Sequence, residues 1–313
     1  AMQLSAAERD AVTILWREHE NARLASRLEG AGGSDAAAAL LAQARADTAV
    51  LDAELLDGYA GASRPEHRQL LLERVASATL ASPSSASGAV AAALLRHGAC
   101  VAASGLSDEL CAEALGEARG LPLESATMAH FDAAGARVRT RREDSVLWLG
   151  SSCGEEERST APALREIEAR MEAFGASLAA ALAPSGLQID GRSALMLARY
   201  PANGAQYEPH VDNARGSAGG AADADDGRRV TLVLYLNPDW DVERDGGGLC
   251  IFAPAGEPRT ELCVASAVVA PKAGTLVAFR ADETVHWVKP TARERFALTL
   301  WLTGPPSSPS DPV

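Results

Sequence analysis

The chain has 313 residues, 47% of them hydrophobic, 23% charged and only 4% aromatic. That length allows one large domain or two smaller ones and is ample for a buried core. With 29 Lys and Arg against 42 Asp and Glu the net charge is −13, so a polyanion or an anionic membrane is a poor default partner, and neither nucleic acid nor membrane is expected to bind.

In chain order, Ala1-Met2-Gln3-Leu4 shows no basic segment leading into an apolar one, so no secretory signal is expected there. No run approaches the roughly 18 apolar residues of a membrane span. Residues 4–81 are predicted to be helical. Ser5-x-x-Glu8 reads as a capping box. Leu41, Ala44, Thr48, Leu51 and Leu55 recur at helical spacing, as do Leu71, Val75 and Ala78 further on. Residues 30–34 and 61–65 supply the breaks. A helical layer is the expected arrangement, with a partner-binding module as the alternative. Residues 82–88 are Ser- and Pro-rich and read as a linker. The expected division is therefore a helical extension and linker over 1–88, a main domain over 89–303, and a disordered tail over 304–313.

Within the main domain a helix from Ala89 leads into a strand over 99–103, and a second helix opens near Ser107. Residues 131–150 are polar and Arg-rich and end in Val146-Leu147-Trp148-Leu149. Residues 161–183 are again helical. After Ser193 the pattern changes to short β runs between turn residues, over 194–200, 206–212, 229–237, 248–253, 262–269, 274–280, 284–288 and 295–303. Eight short strands after helices predict an α+β fold with a double-stranded β-helix, or jelly-roll, core, supporting helices and an N-terminal helical extension. Cys100, Cys111, Cys153, Cys250 and Cys263 form no C-x-x-C pair. Neither a zinc finger nor a disulfide framework is indicated, and a cytoplasmic or nuclear monomer is expected.

The chemistry starts at His210-Val211-Asp212. On a strand these two side chains share a face. His286, in Thr284-Val285-His286-Trp287-Val288, lies on a strand that a jelly roll can bring alongside. Two His and one carboxylate with open positions make the facial triad of non-haem Fe(II) oxygenases. Nine residues on, Arg295 opens a strand whose inward face also carries Ala297, Thr299 and Trp301. A buried Arg there needs an anionic partner. A dicarboxylate that chelates iron at one end and meets the guanidinium at the other supplies it. Tyr200, Tyr207 and Tyr235 converge on the same region, and Tyr235 alternates with Thr231 and Val233 on an inward face.

Leu197-Ala198-Arg199-Tyr200-Pro201-Ala202-Asn203-Gly204, Tyr207-Glu208-Pro209-His210-Val211-Asp212-Asn213, Tyr235-Leu236-Asn237-Pro238-Asp239-Trp240 and residues 295–301 closely resemble the catalytic domain of the HIF prolyl hydroxylases and their protist and bacterial relatives. The resemblance runs from about residue 90 to 303. It implies His210, Asp212 and His286 as iron ligands and Arg295 as the 2-oxoglutarate anchor. It also implies Tyr200, Tyr235, Met196, Val288, Thr299 and Trp301 around that co-substrate. Arg142 and Asp144 resemble the charged pair of the family's mobile substrate loop, and Arg228 a basic residue at the substrate entrance; Tyr207 is also expected to bind substrate.

The implied activity is hydroxylation of a proline in a protein, using Fe(II), 2-oxoglutarate and O2 with ascorbate in support, in the service of oxygen sensing. Residues 1–81 fall outside the resemblance. No Cys precedes Cys100, so they do not resemble the zinc-binding module of some animal members. The chain thus looks more like a protist or algal member, for which the ubiquitin-ligase adaptor Skp1 is the implied target, with a HIF-like protein as the alternative. Two other readings stay open: a metal-stapled jelly roll that binds without turnover, and a dioxygenase acting on a different protein residue. The segment 214–227, with its run of Asp, is longer than the family's turn and reads as a solvated loop, its spacing wrong for calcium. Gly246-Gly247-Gly248 reads as a turn.

Overall fold

The computed structural model describes residues 66–69, 73–75, 79–131, 137–149, 161–213, 225–252 and 263–305. The expected helices before residue 66, residues 214–224 of the expected 214–227 loop and the tail from 306 onward lie outside these. The chain divides into two units. One comprises Met2–Leu70 and Ala255–Ser266, and in it a strand β1 (Glu66–Gln69) runs parallel to residues 263–266. The other, Leu71–Pro254 with Ala267–Val313, holds everything below.

This second unit begins with β2 (Glu73–Val75), not with the helix that Leu71, Val75 and Ala78 suggested. Glu73, Arg74 and Val75 pair in parallel with residues 100–102 of β3 (Ala99–Ala103). An open sheet edge offers these backbone groups partners, and Val75 enters the core beside it. Such tertiary pairing outweighs a weak helical period. Between β2 and β3 lies α1 (Pro83–His97), so the linker expected over 82–88 is instead the opening of a helix. Pro83 occupies the first turn, where a missing N–H costs nothing. Ala86, Val90, Ala93 and Leu94 are buried, and Gly98 closes the helix in the left-handed conformation at φ 71°.

Two more helices complete the outer layer. α2 (Asp108–Gly120) is capped by the Ser107 hydroxyl, which accepts from the Leu110 N–H. Its Glu117 carboxylate accepts from the N–H groups of Ala163 and Leu164 at 3.0 and 2.9 Å. Those are orphan donors at the start of α3 (Pro162–Leu182), where negative charge is favoured. From α3, Leu164, Ile167, Met171, Phe174, Leu178 and Leu182 form one apolar stripe.

Facing the helices is a sheet completed by β4 (Glu124–Phe131), β5 (Arg137–Leu149), β6 (Gly191–Arg192), β7 (Leu195–Tyr200), β9 (Arg228–Tyr235), β12 (Thr275–Arg280) and β14 (Arg295–Thr303). Its order is β2-β3-β12-β9-β14-β7-β5-β4, with β6 beside β14. The opposing sheet contains β8 (Ala205–His210), β10 (Leu249–Phe252), residues 267–269 of β11 (Cys263–Val269), whose first four residues belong to the other unit, and β13 (His286–Thr291), in the order β11-β10-β13-β8; a short α4 (Val242–Asp245) lies outside it. The eight strands predicted after residue 193 are all present, divided equally between two sheets as in a jelly roll.

Strand alternation divides the interior into two layers. Leu195, Leu197, Leu232, Leu234, Phe296, Leu298, Leu300 and Leu302 face the helices. Met196, Ala198, Tyr200, Val233, Tyr235, Ala297 and Trp301 face the second sheet. The Arg-rich run after 131 is mainly strand rather than loop. β5 pairs with β4 on one side and, through residues 145–149, with β7 on the other. Among the described residues, no helix is long and apolar enough to cross a membrane.

The end of the long loop is not solvated as expected. Asp225 receives two hydrogen bonds from the fully buried Arg229 at 2.8 and 3.0 Å and one from Asn213 at 2.8 Å. Arg229 Nε also donates to the carbonyl of Pro305 at 3.0 Å, and the Gly304 N–H to that of Gly227 at 2.9 Å. The first two residues of the expected tail are therefore bound in place. A Cβ on Gly304 would lie 2.0 Å from the Gln188 carbonyl oxygen, closer than any side chain allows. Gly246 and Gly247 form the expected turn, both at positive φ. Replacing Asp225 with Ala would strand the Arg229 guanidinium in the interior. We expect Asp225→Ala to lose about 3 kcal/mol of stability in chemical denaturation, the lower end for breaking a buried pair.

Candidate metal centre and co-substrate site

His210 is the last residue of β8 and His286 the first of β13. The two are directly opposed in the antiparallel register, with bulges just beyond. Asp212 lies two residues past the end of β8, in a bend, and not on the strand predicted to reach it. Its carboxylate nevertheless returns to the pair. Asp212 Oδ1 is 3.6 Å from His210 Nε2 and 3.8 Å from His286 Nε2. One ligand atom from each of the three residues lies within 4.8 Å of the others, close enough to hold one metal ion.

The surroundings prepare these groups for a cation. His286 Nδ1 is 3.1 Å from the Thr284 carbonyl. That contact needs the proton on Nδ1 and leaves the Nε2 lone pair facing Asp212. Burial and the neighbouring His210, only partly offset by Asp212, push the His286 pKa down to about 4, so its ring is neutral at pH 7. For Asp212, burial opposes the charge. The two imidazoles and the Thr231 hydroxyl outweigh burial and hold the carboxyl well below its usual range. Phe279 packs on the His286 ring at 4.5 Å, and Tyr207 on the His210 ring at 3.8 Å.

Beside the triad stands Arg295, opposite Tyr200 in the β14–β7 register and 1% exposed. Its guanidinium lies 4.9 Å from the ring centres of both Tyr200 and Tyr235. Among the described residues, Arg295 Nε, Tyr235 Oη and Trp301 Nε1 are buried without a hydrogen-bond partner. Buried polar groups are rarely left so. A cationic and a phenolic donor on one inward face fit a carboxylate, the distal end of a dicarboxylate whose other end would reach the triad. Met196, Val288 and Trp301 belong to the same inner layer, and Thr299 faces Met196 across the β14–β7 ladder.

The residues expected at the substrate entrance also converge. Arg142 and Asp144 form a two-pronged ion pair at 2.9 and 2.6 Å, and the guanidinium stacks on Tyr207 at 3.9 Å. Burial raises the Asp144 pKa against the pull of Arg142. These two residues stand on β5 itself, not on the loop that the resemblance implied. Arg228 donates to the Asp212 carbonyl at 3.2 Å and covers the Trp301 ring at 4.2 Å. Thr231, Thr284 and Phe279 are contributors that the sequence reading did not assign. The alternation of Thr231 with Tyr235 was the available signal for the first.

Comparison with known proteins names this arrangement. Residues 195–303 match the 2OG-Fe(II) oxygenase superfamily, the stretch that holds the triad and Arg295. The chain carries a 2OG-Fe(II) oxygenase domain. Such a domain works with Fe(II), 2-oxoglutarate and O2, and the His-Asp-His group of this oxygenase domain fits iron.

A Caenorhabditis elegans hypoxia-inducible factor prolyl hydroxylase is 40% identical over 114 residues, covering 36% of this chain and 14% of that protein. Human prolyl hydroxylase EGLN3 is 33% identical over 171 residues, covering 54% and 61%. The chain thus spans well under two thirds of the first relative's length. A Trichoplax adhaerens prolyl hydroxylase, solved with a hypoxia-inducible factor oxygen degradation domain peptide, superposes at a TM-score of 0.56 with 25% identity, over 72% of this chain and 92% of that one.

Removing one ligand tests the centre directly. His286→Ala should weaken Mn(II) binding more than about 100-fold in calorimetry, because loss of an outer partner of a ligand alone costs about 10–100-fold. Unchanged Mn(II) affinity would take His286 out of the site.

Proposed function

We propose that this chain is an Fe(II)- and 2-oxoglutarate-dependent prolyl 4-hydroxylase acting on a proline in a protein substrate. The observation that carries the proposal is the convergence of His210, Asp212 and His286 next to a buried Arg295 whose Nε lacks a partner among the described residues. The prolyl hydroxylase names of the relatives supply the substrate class. Bound iron supplies the reductive activation of O2, coupled to conversion of 2-oxoglutarate to succinate and carbon dioxide, with one oxygen atom entering the proline C–H bond.

The residues divide that work. Arg295 pairs with the distal carboxylate of 2-oxoglutarate, and Tyr235 donates its phenol to the same group. Tyr200, Thr299 and Met196 shape the pocket with Val288 and Trp301. Together they exclude water from the inner layer, where a charge pair is strongest. Arg142, Asp144, Tyr207 and Arg228 hold the peptide so that its proline meets the metal. We place this machinery in residues 89–303, with α1 from Pro83 as part of its packing. The target is an extended segment of a HIF-like or Skp1-like protein, in a role tied to oxygen sensing. A ferrous centre is most easily kept reduced in the cytoplasm or nucleus, where we place the protein, as a monomer, with ascorbate maintaining the iron.

Purified protein given Fe(II), ascorbate, 2-oxoglutarate and candidate prolyl peptides should release succinate. It should also add one oxygen atom to a peptide proline, read by mass spectrometry. No succinate with any peptide would reject the enzyme reading. Arg295→Ala should keep metal affinity near that of the unsubstituted protein while raising the KM for 2-oxoglutarate. A rise on the order of a hundredfold or more is expected, from the roughly 3–5 kcal/mol carried by one half of a buried ion pair. Unchanged 2-oxoglutarate dependence would place the anchor elsewhere.

A further inference from the structure

The two oxygens of Asp212 are held differently. Oδ1 faces both imidazole Nε2 atoms, at 3.6 and 3.8 Å. Oδ2 instead accepts a 2.6 Å hydrogen bond from Thr231 Oγ1. Thr231 is 1% exposed and sits in the middle of the larger sheet, with Trp301 of β14 opposite it on one side and Phe279 of β12 on the other. A β-branched side chain on such a strand has little rotational freedom, so its hydroxyl is a fixed point. Asp212 has no comparable support from a ladder of its own, since it lies beyond β8. Its backbone carbonyl is tied to Arg228 and its carboxylate to Thr231.

We propose that Thr231 is a positioning residue that keeps Asp212 a one-oxygen ligand. The proposal rests on the reading of His210, Asp212 and His286 as metal ligands. A carboxylate free to turn about its Cβ–Cγ bond can bring both oxygens onto a cation, as carboxylates do in calcium sites. Here that would occupy a position needed by the chelating co-substrate or by dioxygen. Turning Asp212 that way breaks a short, charge-assisted bond and leaves a buried hydroxyl without its acceptor. The hydroxyl thus guards the number of open positions and not the presence of the metal.

Co(II) tests this, because its visible absorption bands report coordination number and it binds without turnover. In the unsubstituted protein Co(II) should bind, and His286→Ala should abolish the bands. Thr231→Val and Thr231→Ala both remove the hydroxyl, the first keeping the side-chain shape and the second reducing its volume. Because the freed second carboxylate oxygen would itself reach the metal and offset the lost support, both should retain Co(II) affinity within about threefold; they should shift the bands before any co-substrate is added, and bind 2-oxoglutarate about tenfold or more weakly, the scale of outer-partner effects. Thr231→Ser should restore the bands and the 2-oxoglutarate affinity.

Equal loss of metal and co-substrate affinity in the Val and Ala variants would indicate general loosening and overturn the proposal. So would unaltered bands and 2-oxoglutarate affinity, or a Ser variant that behaves like Val. If neither hydroxyl-free variant folds while Ser does, the hydroxyl is a structural requirement and the positioning role falls. Absence of Co(II) bands in the unsubstituted protein, or their survival in His286→Ala, would overturn the triad reading itself, a result separable from the others.

Discussion

The pairing of His210 with His286 across two antiparallel strands is the constraint on which the site depends. Side chains on a strand alternate between faces, so a slip of one residue would send His286 away from the triad and put Trp287 in its place. The register resists such a slip because each side of β13 is tied down. Val288 faces Tyr207 of β8, and Leu249, Cys250 and Ile251 of β10 hold the other edge. The same alternation in β14 sends Phe296, Leu298, Leu300 and Leu302 to the helices. Arg295 and Thr299 are thereby committed to the opposite face. The apolar packing of the outer layer therefore aims the polar groups of the inner one.

Those polar groups are costly to bury, and the structure shows how each is offset. Arg142 and Asp144 neutralise each other through two hydrogen bonds. Arg229 does the same with Asp225. Asp212 keeps its charge because two imidazoles and a hydroxyl surround it. Arg295 differs from these, with aromatic rings beside it and an Nε that finds no acceptor among the described residues. In a chain of net charge −13, this interior cation is a strong local attraction for a small dianion, and low local dielectric strengthens it.

Much of this was legible in the residues. The eight β runs after Ser193 were marked by alternation and turn residues, and 295–303 matches its strand residue for residue. The metal and anchor residues stood out because a His or Arg on an inward strand face has few other reasons to be there. What was not legible depended on neighbours distant in sequence. Ser82-Pro83-Ser84-Ser85 has the composition of a linker and equally that of a helix N-terminus; burial of Val90 and Leu94 decides between them. Residues 73–75 became a strand because β3 had an open edge. Arg142 looked like part of a mobile charged loop, yet it lies on a strand and pairs with a buried carboxylate two residues away. Asp225 could not be told from its solvated neighbours until Arg229 was seen to enclose it.

Gly304 belongs to the packed domain although it lies past the last strand. It follows the final strand in a stretch of composition typical of a disposable terminus, yet its backbone lies against the Gln188 carbonyl with no room for even a methyl group. Sequence variability, the usual marker of a domain boundary, would therefore be misleading at this position. A domain trimmed at Thr303 on the strength of its last strand would lose both the bond from Gly304 to Gly227 and the Pro305 carbonyl that serves the buried Arg229.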